Sequence, residues 1–156
     1  VPFYLRTGKR LNGRDAHIVV NFRGVPHPIF PGAHRANKLV IKLQPEDGLE
    51  LHLMAAKGSG PSELLAPVSL DLDFDKAFSS ERVGAYERLL LDAIAGRLNL
   101  FVRSDEQEQA WRWVEPVLDA WAQDPNGPRP YAAGSWGPAA ASALIARDGC
   151  AWAEEQ

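Results

Sequence analysis

Hydrophobic and polar residues alternate along four short stretches in the first half of the chain. The four stretches are AHIVVNF (16–22), KLVIKLQ (38–44), LELHLM (49–54) and VSLDLDF (68–74). A period of two places the apolar side chains on one face of a strand, as is usual in antiparallel sheets. The segment QPEDG, which joins the second stretch to the third, is typical of a hairpin turn. The first half of the chain is therefore predicted to form an antiparallel sheet.

The second half has the residue spacing of helices. In AYERLLLDAIAG (85–96) one apolar stripe is predicted, and Gly96 is suited to end the helix. The residues of the stripe are Tyr86, Leu89, Leu90, Ala93 and Ile94. In SDEQEQAWRWVEPVLDAW (104–121), Ser104 is predicted as the N-cap and Gln107 completes a capping box. Pro116 lies inside this pattern and is expected to kink or split the helix. A third helix is predicted within GPAAASALIARDG (137–149).

Strands followed by helices predict an α+β fold, here a largely antiparallel β-sheet with helices packed on one face. The chain has 156 residues, enough for a core of its own, so residues 1–156 are predicted to form a single domain. The chain starts at Val1 and opens directly on the apolar stretch VPFYL. A natural amino terminus rarely begins in this way, and we expect the chain to be a fragment of a longer protein.

Composition narrows the classes of function. The net charge of −3 argues against nucleic acid as a partner, because binding to a phosphate backbone favours a broadly basic surface. Cys150 is the only cysteine and the four histidines are scattered, so no metal site is predicted. The sequence has no signal peptide and no apolar run near 18 residues, which predicts a soluble, cytoplasmic protein with no membrane partner. No spacing indicates a Ser–His–Asp or Cys–His pair, and no residue is predicted to be catalytic.

The clearest candidate site is a basic cluster at the start of the chain, within VPFYLRTGKRLNGRD (1–15). Its members are Arg6, Lys9, Arg10 and Arg14, with Gly8 and Gly13 among them. Glycines let the backbone approach a ligand closely, so the cluster is suited to a small anion. The sequence has neither the P-loop motif nor the dinucleotide-binding glycine fingerprint. A solvated surface is the alternative interpretation of the same charges.

Four segments resemble, in order and spacing, the carboxyl-terminal part of the glucose-6-phosphate dehydrogenase family. They are VPFYLRTGKRL, NKLVIKLQPEDGL, AYERLLLDAIAGRLNLFVRSDEQEQAWRWVEPVLDAW and YAAGSWGPAAASALI, and together they cover nearly the whole chain. The resemblance implies an NADP-dependent dehydrogenase that oxidises glucose 6-phosphate to 6-phosphogluconolactone, the first step of the oxidative pentose phosphate pathway. It also implies that this part of the enzyme binds substrate and forms a homodimer or a larger homo-oligomer.

The same resemblance assigns roles to three residues. Lys9 and Arg14 match the family's basic substrate-binding positions, and Gln44 matches a polar residue that reaches the substrate in some members. The family's general base, its His-Tyr-x-x-Lys segment and its amino-terminal NADP-binding Rossmann domain lie upstream of Val1. The chain alone is therefore expected to be inactive.

The resemblance also bears on a second NADP site. Some members bind a second, structural NADP through basic residues, and Arg6 and Lys42 would suit that role. Asp15, however, stands where those members carry a cation, so this second NADP site is not predicted. The alternative function is a non-catalytic anion-binding or assembly module that shares the fold.

Overall fold

The computed structural model describes residues 1–30, 35–57, 64–77 and 83–153. The chain divides into two compact units. The first comprises Val1–Ser80 and Ala132–Gln156 and contains the strands, and the second comprises Glu81–Tyr131 and is helical. The first unit therefore includes both ends of the chain. That residues 1–156 act as one domain stays a prediction.

The first unit contains a four-stranded antiparallel sheet. Its strands are β1 (Ala16–Asn21), β2 (Lys38–Gln44), β3 (Gly48–Lys57) and β4 (Leu64–Asp73). They lie side by side in chain order, and each consecutive pair is antiparallel. The segment between β2 and β3 is the predicted hairpin connection. The sheet and the described helices confirm the predicted α+β class.

The fourth strand is longer than its alternating pattern predicts. It begins at Leu64, four residues before the predicted start, and it contains Pro67, which lies opposite Met54 of β3. Proline has no N–H to donate to a neighbouring strand and is tolerated mainly in outer strands. Within the described sheet β4 is an outer strand, so Pro67 shortens the recognisable pattern without ending the strand.

The strand register sorts the side chains onto two faces. The first face is apolar and is formed by Ile18, Val20, Leu39, Ile41, Leu49, Leu51, Leu70 and Leu72. Several of these side chains are open to solvent, including Ile18 at 49% and Leu70 at 61% exposure. The second face carries Val19, Val40 and Met54 among polar residues. The exposed apolar side chains of the first face are typical of a surface that packs against another protein segment.

A small ion cluster lies on the second face. The ammonium group of Lys42 contacts Oε1 of Glu50, and Nε2 of His52 lies 3.2 Å from Oε2 of the same carboxylate. The hydrogen bond from Lys42 lowers the pKa of Glu50 below its ordinary value, against the opposing effect of burial. The same hydrogen bond raises the pKa of Lys42. The cluster therefore joins β2 to β3 through fixed charges.

The helices correct one detail of the sequence analysis. They are α1 (Phe74–Ala77), α2 (Ala85–Ile94), α3 (Ser104–Gln123) and α4 (Ala139–Ala146). Gly96 has φ +69°, the left-handed conformation predicted at the end of α2. The prediction of Ser104 as the N-cap of α3 is wrong by one residue. Arg103 occupies that position, and its backbone N–H donates to Oε2 of Glu106 at 3.0 Å. The sequence signature of a capping box favours Ser104 with Gln107, whereas the contact that forms is the one from Arg103 to Glu106, and arginine is not a typical N-cap residue.

Pro116 lies within α3, which is continuous from Ser104 to Gln123, so the proline does not split the helix. Among the described helices, none is both long enough and apolar enough to cross a membrane.

Gly48 provides a test of the packing between β3 and β4. A Cβ atom at this buried position would lie 2.8 Å from the carbonyl oxygen of Leu72, which is backbone and cannot rotate away. We expect Gly48→Ala to lower the free energy of unfolding by about 1–3 kcal/mol, because the strands must separate slightly. The matched control is Gly24→Ala, since no atom lies within 4 Å of the added methyl group. Thermal unfolding followed by circular dichroism measures both, and equal midpoints would contradict the packing described.

The ion cluster gives a prediction with a defined pH dependence. The pKa of Glu50 is lowered in the folded protein, so its contribution to stability is present above the ordinary pKa of 4.5. That contribution is lost as the pH falls through the folded-state pKa. At pH 7, Glu50→Gln should weaken the protection of β2 and β3 amides against hydrogen exchange by up to about fivefold, the value for a partly exposed ion pair.

The difference between Glu50→Gln and the unaltered protein should shrink as the pH falls from 5 to 4. Glu115→Gln, on the exposed surface of α3, is the control and should leave these amides unchanged at both pH values. A Glu50→Gln effect that stays constant from pH 7 to pH 4 would show that the charge of Glu50 is not the cause.

Candidate anion-binding site

The basic cluster lies in an irregular segment directly before β1. Lys9, Arg10 and Arg14 are exposed, and the backbone bends at residues 9–10 and 12–13. Arg10 has φ +57°, a conformation that residues other than glycine seldom adopt. The segment therefore has a defined backbone geometry and presents three cationic side chains to solvent.

The tail of the chain, here residues 132–153, holds this segment in place. The N–H of Gly134 donates to the carbonyl oxygen of Arg10 at 2.8 Å. The guanidinium carbon of Arg6 lies 4.4 Å from the ring centre of Trp152 and 5.2 Å from that of Trp136. Both distances are in the range of a cation–π interaction. Residues at opposite ends of the sequence thus meet at the candidate site.

The two tryptophans are themselves fixed by local structure. Nε1 of Trp152 donates to the carbonyl oxygen of Ala141 in α4 at 3.4 Å, and the Trp152 ring makes an edge contact with Tyr4 at 6.5 Å between ring centres. Gly134 and Gly137, with φ +81° and +107°, allow the tail to turn on either side of Trp136. The Arg6 side chain is therefore held by rings that are themselves anchored.

The sheet places Gln44 at the same end as Arg14. Gln44 is the last residue of β2 and lies opposite Ala16, the first residue of β1 and only two positions after Arg14. The register shifts here, because His17 pairs with Lys42 while Ala16 pairs with Gln44. This irregularity is a β-bulge, a feature that often redirects side chains beside functional sites. The structure therefore brings two of the three predicted residues to one end of the sheet.

Asp15 is the nearest acidic neighbour of Arg14 in the chain. Its Oδ2 lies 2.8 Å from Nδ1 of His17, which orients the carboxylate toward the imidazole. Among the described residues, Arg14 makes no ion pair. The two cations considered for a second NADP are both engaged within the chain, since Arg6 stacks on tryptophans and Lys42 pairs with Glu50.

The arginines of the helical unit are arranged differently. Asp92, 8% exposed, accepts from Nε of Arg97 at 2.9 Å and lies 4.0 Å from Nε of Arg88. Arg103 pairs with Asp105, its Nε and Nη2 donating to the two carboxylate oxygens at 2.9 and 2.7 Å. These cations are neutralised by nearby carboxylates, so they are poor candidates for binding an external anion.

The described residues show no metal centre. Within the ranges described, no three side chains of His, Cys, Asp or Glu lie close enough together to hold a metal ion.

The first unit is an antiparallel α+β unit with a basic, glycine-containing segment directly before β1. Such an arrangement is typical of a protein that binds a small anion. Residues 1–153 match the family model described as glucose-6-phosphate dehydrogenase, C-terminal domain. The chain therefore belongs to this family.

Curated relatives support the assignment over almost the whole chain. The chain is 49% identical over 156 residues to a glucose-6-phosphate 1-dehydrogenase of Rhizobium meliloti (strain 1021), covering 97% of this chain and 32% of the relative. It is 45% identical over 159 residues to the enzyme of the same name from Dickeya dadantii (strain 3937), covering 99% of this chain and 32% of the relative. The chain thus spans about a third of the length of the curated relatives it matches.

Solved structures show the same relation. One, described as glucose-6-phosphate dehydrogenase in complex with its substrate glucose-6-phosphate, superimposes with a TM-score of 0.79 at 31% identity. The match covers 94% of this chain and 30% of that structure. Glucose-6-phosphate 1-dehydrogenase from Mycobacterium avium superimposes with a TM-score of 0.69 at 34% identity, covering 93% of this chain and 29% of that structure.

Sequence reasoning missed the part that the tryptophans play at this site. The contacts of Trp136 and Trp152 with Arg6 have no local signature in the sequence. Arg6 and Trp136 are 130 positions apart, and no periodicity connects them.

Proposed function

We propose that the chain is the carboxyl-terminal, substrate-binding and dimerisation domain of a cytoplasmic glucose-6-phosphate dehydrogenase. The complete enzyme oxidises glucose 6-phosphate to 6-phosphogluconolactone and transfers a hydride to NADP, as the first step of the oxidative pentose phosphate pathway. The observation that carries the proposal is the family match over residues 1–153, in a chain that spans about a third of its dehydrogenase relatives. No observation favours the alternative of a non-catalytic module.

The proposed division of labour follows from what this chain contains. The general base and the NADP-binding Rossmann domain belong to the preceding part of the enzyme, and NADP supplies the hydride acceptor there. This chain contributes cations and hydrogen-bond donors to the sugar phosphate. The 156 residues alone are accordingly proposed to be inactive, and the substrate pocket is complete only with the preceding part.

Lys9, Arg14 and Gln44 are the proposed substrate-binding residues. A sugar phosphate is a dianion with several hydroxyl groups, and charged donors make stronger hydrogen bonds to such groups than neutral ones do. Arg14 and Gln44 are held at the same end of the sheet by the pairing of Ala16 with Gln44. Groups fixed on a rigid scaffold lose little freedom when the ligand binds. Each residue thus binds and orients substrate without taking part in proton or hydride transfer.

The substrate assignment is tested by kinetics of the complete enzyme. Lys9→Ala should lower kcat/KM for glucose 6-phosphate roughly 30- to 150-fold. This fall corresponds to a loss of about 2–3 kcal/mol in transition-state stabilisation, as expected for a charged hydrogen bond. Arg14→Ala should act in the same direction. Arg14→Lys should be milder, because the charge is kept while the paired contacts of a guanidinium group are lost.

The KM for NADP serves as the internal control in each of these variants, and it should change little because the coenzyme is bound elsewhere. Arg129→Ala, an exposed arginine in the segment before the tail, is the matched control for loss of a surface cation. An unchanged kcat/KM for glucose 6-phosphate in Lys9→Ala would show that these cations are only solvated surface charges.

The sheet is also proposed to form the contact between two copies of the enzyme. The second face combines the half-buried apolar residues Val19, Val40 and Met54 with charged neighbours, a composition typical of protein–protein interfaces. Closed dimers are the commonest assemblies of identical chains. The supporting observation is the arrangement of these side chains on one face.

Sedimentation velocity of the complete enzyme at about tens of micromolar should give a homodimer or a larger homo-oligomer, in the range where stable interfaces are populated. Met54→Glu should shift the distribution toward smaller species, because it places a charge on the second face. Val25→Glu, at a site that is already 68% exposed outside the strands, should leave the distribution unchanged. A monomer in the unaltered enzyme would refute the proposed contact.

A further inference from the structure

The segment that contains Lys9 is anchored on both sides by the tail of the chain. On the amino-terminal side, the Arg6 guanidinium group stacks against Trp152 and Trp136, and its Nη1 donates to the Trp136 carbonyl oxygen at 3.5 Å. On the carboxyl-terminal side, the Arg10 carbonyl oxygen accepts from the N–H of Gly134 at 2.8 Å. Lys9 therefore lies in a span of five residues whose two ends are fixed to the tail.

The contacts of Arg6 and Arg10 with the tail restrict the backbone of residues 6–10, which could otherwise adopt other conformations. Gly8 directly precedes Lys9 and gives the chain conformational freedom at that point. Arg10 holds φ +57°, which is unfavourable for a residue with a side chain and persists only where surrounding contacts impose it. The hydrogen bond from Gly134 is one such contact, and the stacked Arg6 is the other anchor. Losing either would let the segment relax and would move the ammonium group of Lys9.

We propose that Arg6, held by its contacts with Trp136 and Trp152, is a positioning residue that fixes Lys9 for binding of the sugar phosphate. Arg6 acts through the backbone of residues 6–10 and not by touching substrate. The inference rests on the proposed function, because it assigns to Arg6 a part in the substrate site of that enzyme. It also gives the tail, residues 132–153, a role in substrate affinity.

The competing explanation is that Arg6 only ties the tail to the fold. A contact of that kind stabilises the protein but has no special connection with Lys9. Its loss would lower the fraction of folded enzyme and with it the apparent kcat, while the KM values of the surviving enzyme would stay as they were. A positioning role predicts the opposite pattern of kinetic constants: the KM for the sugar phosphate rises, while kcat is largely kept.

The experiment measures steady-state kinetics of the complete enzyme. In Arg6→Ala, the KM for glucose 6-phosphate should rise about tenfold, while kcat and the KM for NADP stay within about threefold. In a second series, Trp152→Leu should raise the same KM, and Trp152→Phe should restore most of it because a phenyl ring also offers a face to the cation. Arg129→Ala is the control and should match the unaltered enzyme.

A double-mutant cycle with Lys9 makes the test specific. If Arg6 acts through Lys9, then Arg6→Ala should change the KM for glucose 6-phosphate by less than about threefold once Lys9 is already alanine. Effects that multiply fully in the double variant would overturn the proposal, because Arg6 would then contribute independently of Lys9. Unchanged KM values in Arg6→Ala would overturn it as well.

The outcomes separate this inference from the proposed function. If Lys9→Ala itself has no effect on glucose 6-phosphate kinetics, the proposed substrate site is wrong. If Lys9→Ala is impaired while Arg6→Ala is normal, the site stands and the positioning role is wrong. Should Arg6→Ala fail to yield folded enzyme, the Trp152 series decides, since equal KM values in Trp152→Leu and Trp152→Phe would refute the stacked anchor.

Discussion

The contact of one guanidinium group with two indole rings joins the ends of this chain at its candidate site. Arg6 comes just before the first strand, whereas Trp136 and Trp152 follow the last long helix. A planar cation is attracted to the face of each aromatic ring it contacts, and it keeps N–H groups at its edge for hydrogen bonds. The geometry of the basic segment therefore depends on a contact between residues that are distant in sequence.

The sheet supplies the second constraint, because its register decides which polar residues reach the same end. The pairing of Ala16 with Gln44 sets Gln44 beside the approach to Arg14, and the bulge between Ala16 and His17 occurs at the same place. A shift of one residue would send the side chains of β1 to the opposite faces. Ile18 and Val20 alternate on the apolar face opposite Ile41 and Leu39, and the register that makes these pairs also places Gln44 beside Ala16.

How much of this could be predicted from sequence depends on the range of each interaction. Period-two alternation identified the four strands, and the Gly96 helix end was correct because a left-handed residue has a local signature. Pro67 obscured the start of β4, and the N-cap of α3 was misplaced by one residue because Arg103 is not a typical N-cap residue. The basic cluster was visible as composition, but its anchoring to Trp152 was not, because cation–π contacts leave no sequence periodicity.

The placement of charge distinguishes Arg14 from the paired arginines of the helical unit. The net charge is −3, and several arginines of the helical unit pair with nearby carboxylates, as Arg97 does with Asp92 and Arg103 with Asp105. Exposed cations whose partners are already adjacent add little attraction for a dianion, because the local field is cancelled within a few ångströms. Arg14 instead lies exposed in a glycine-containing segment directly before β1, and among the described residues it makes no ion pair. A chain that is acidic as a whole can thus keep a locally basic segment, and the contacts of the tail with Arg6 and Arg10 help to fix the backbone of that segment.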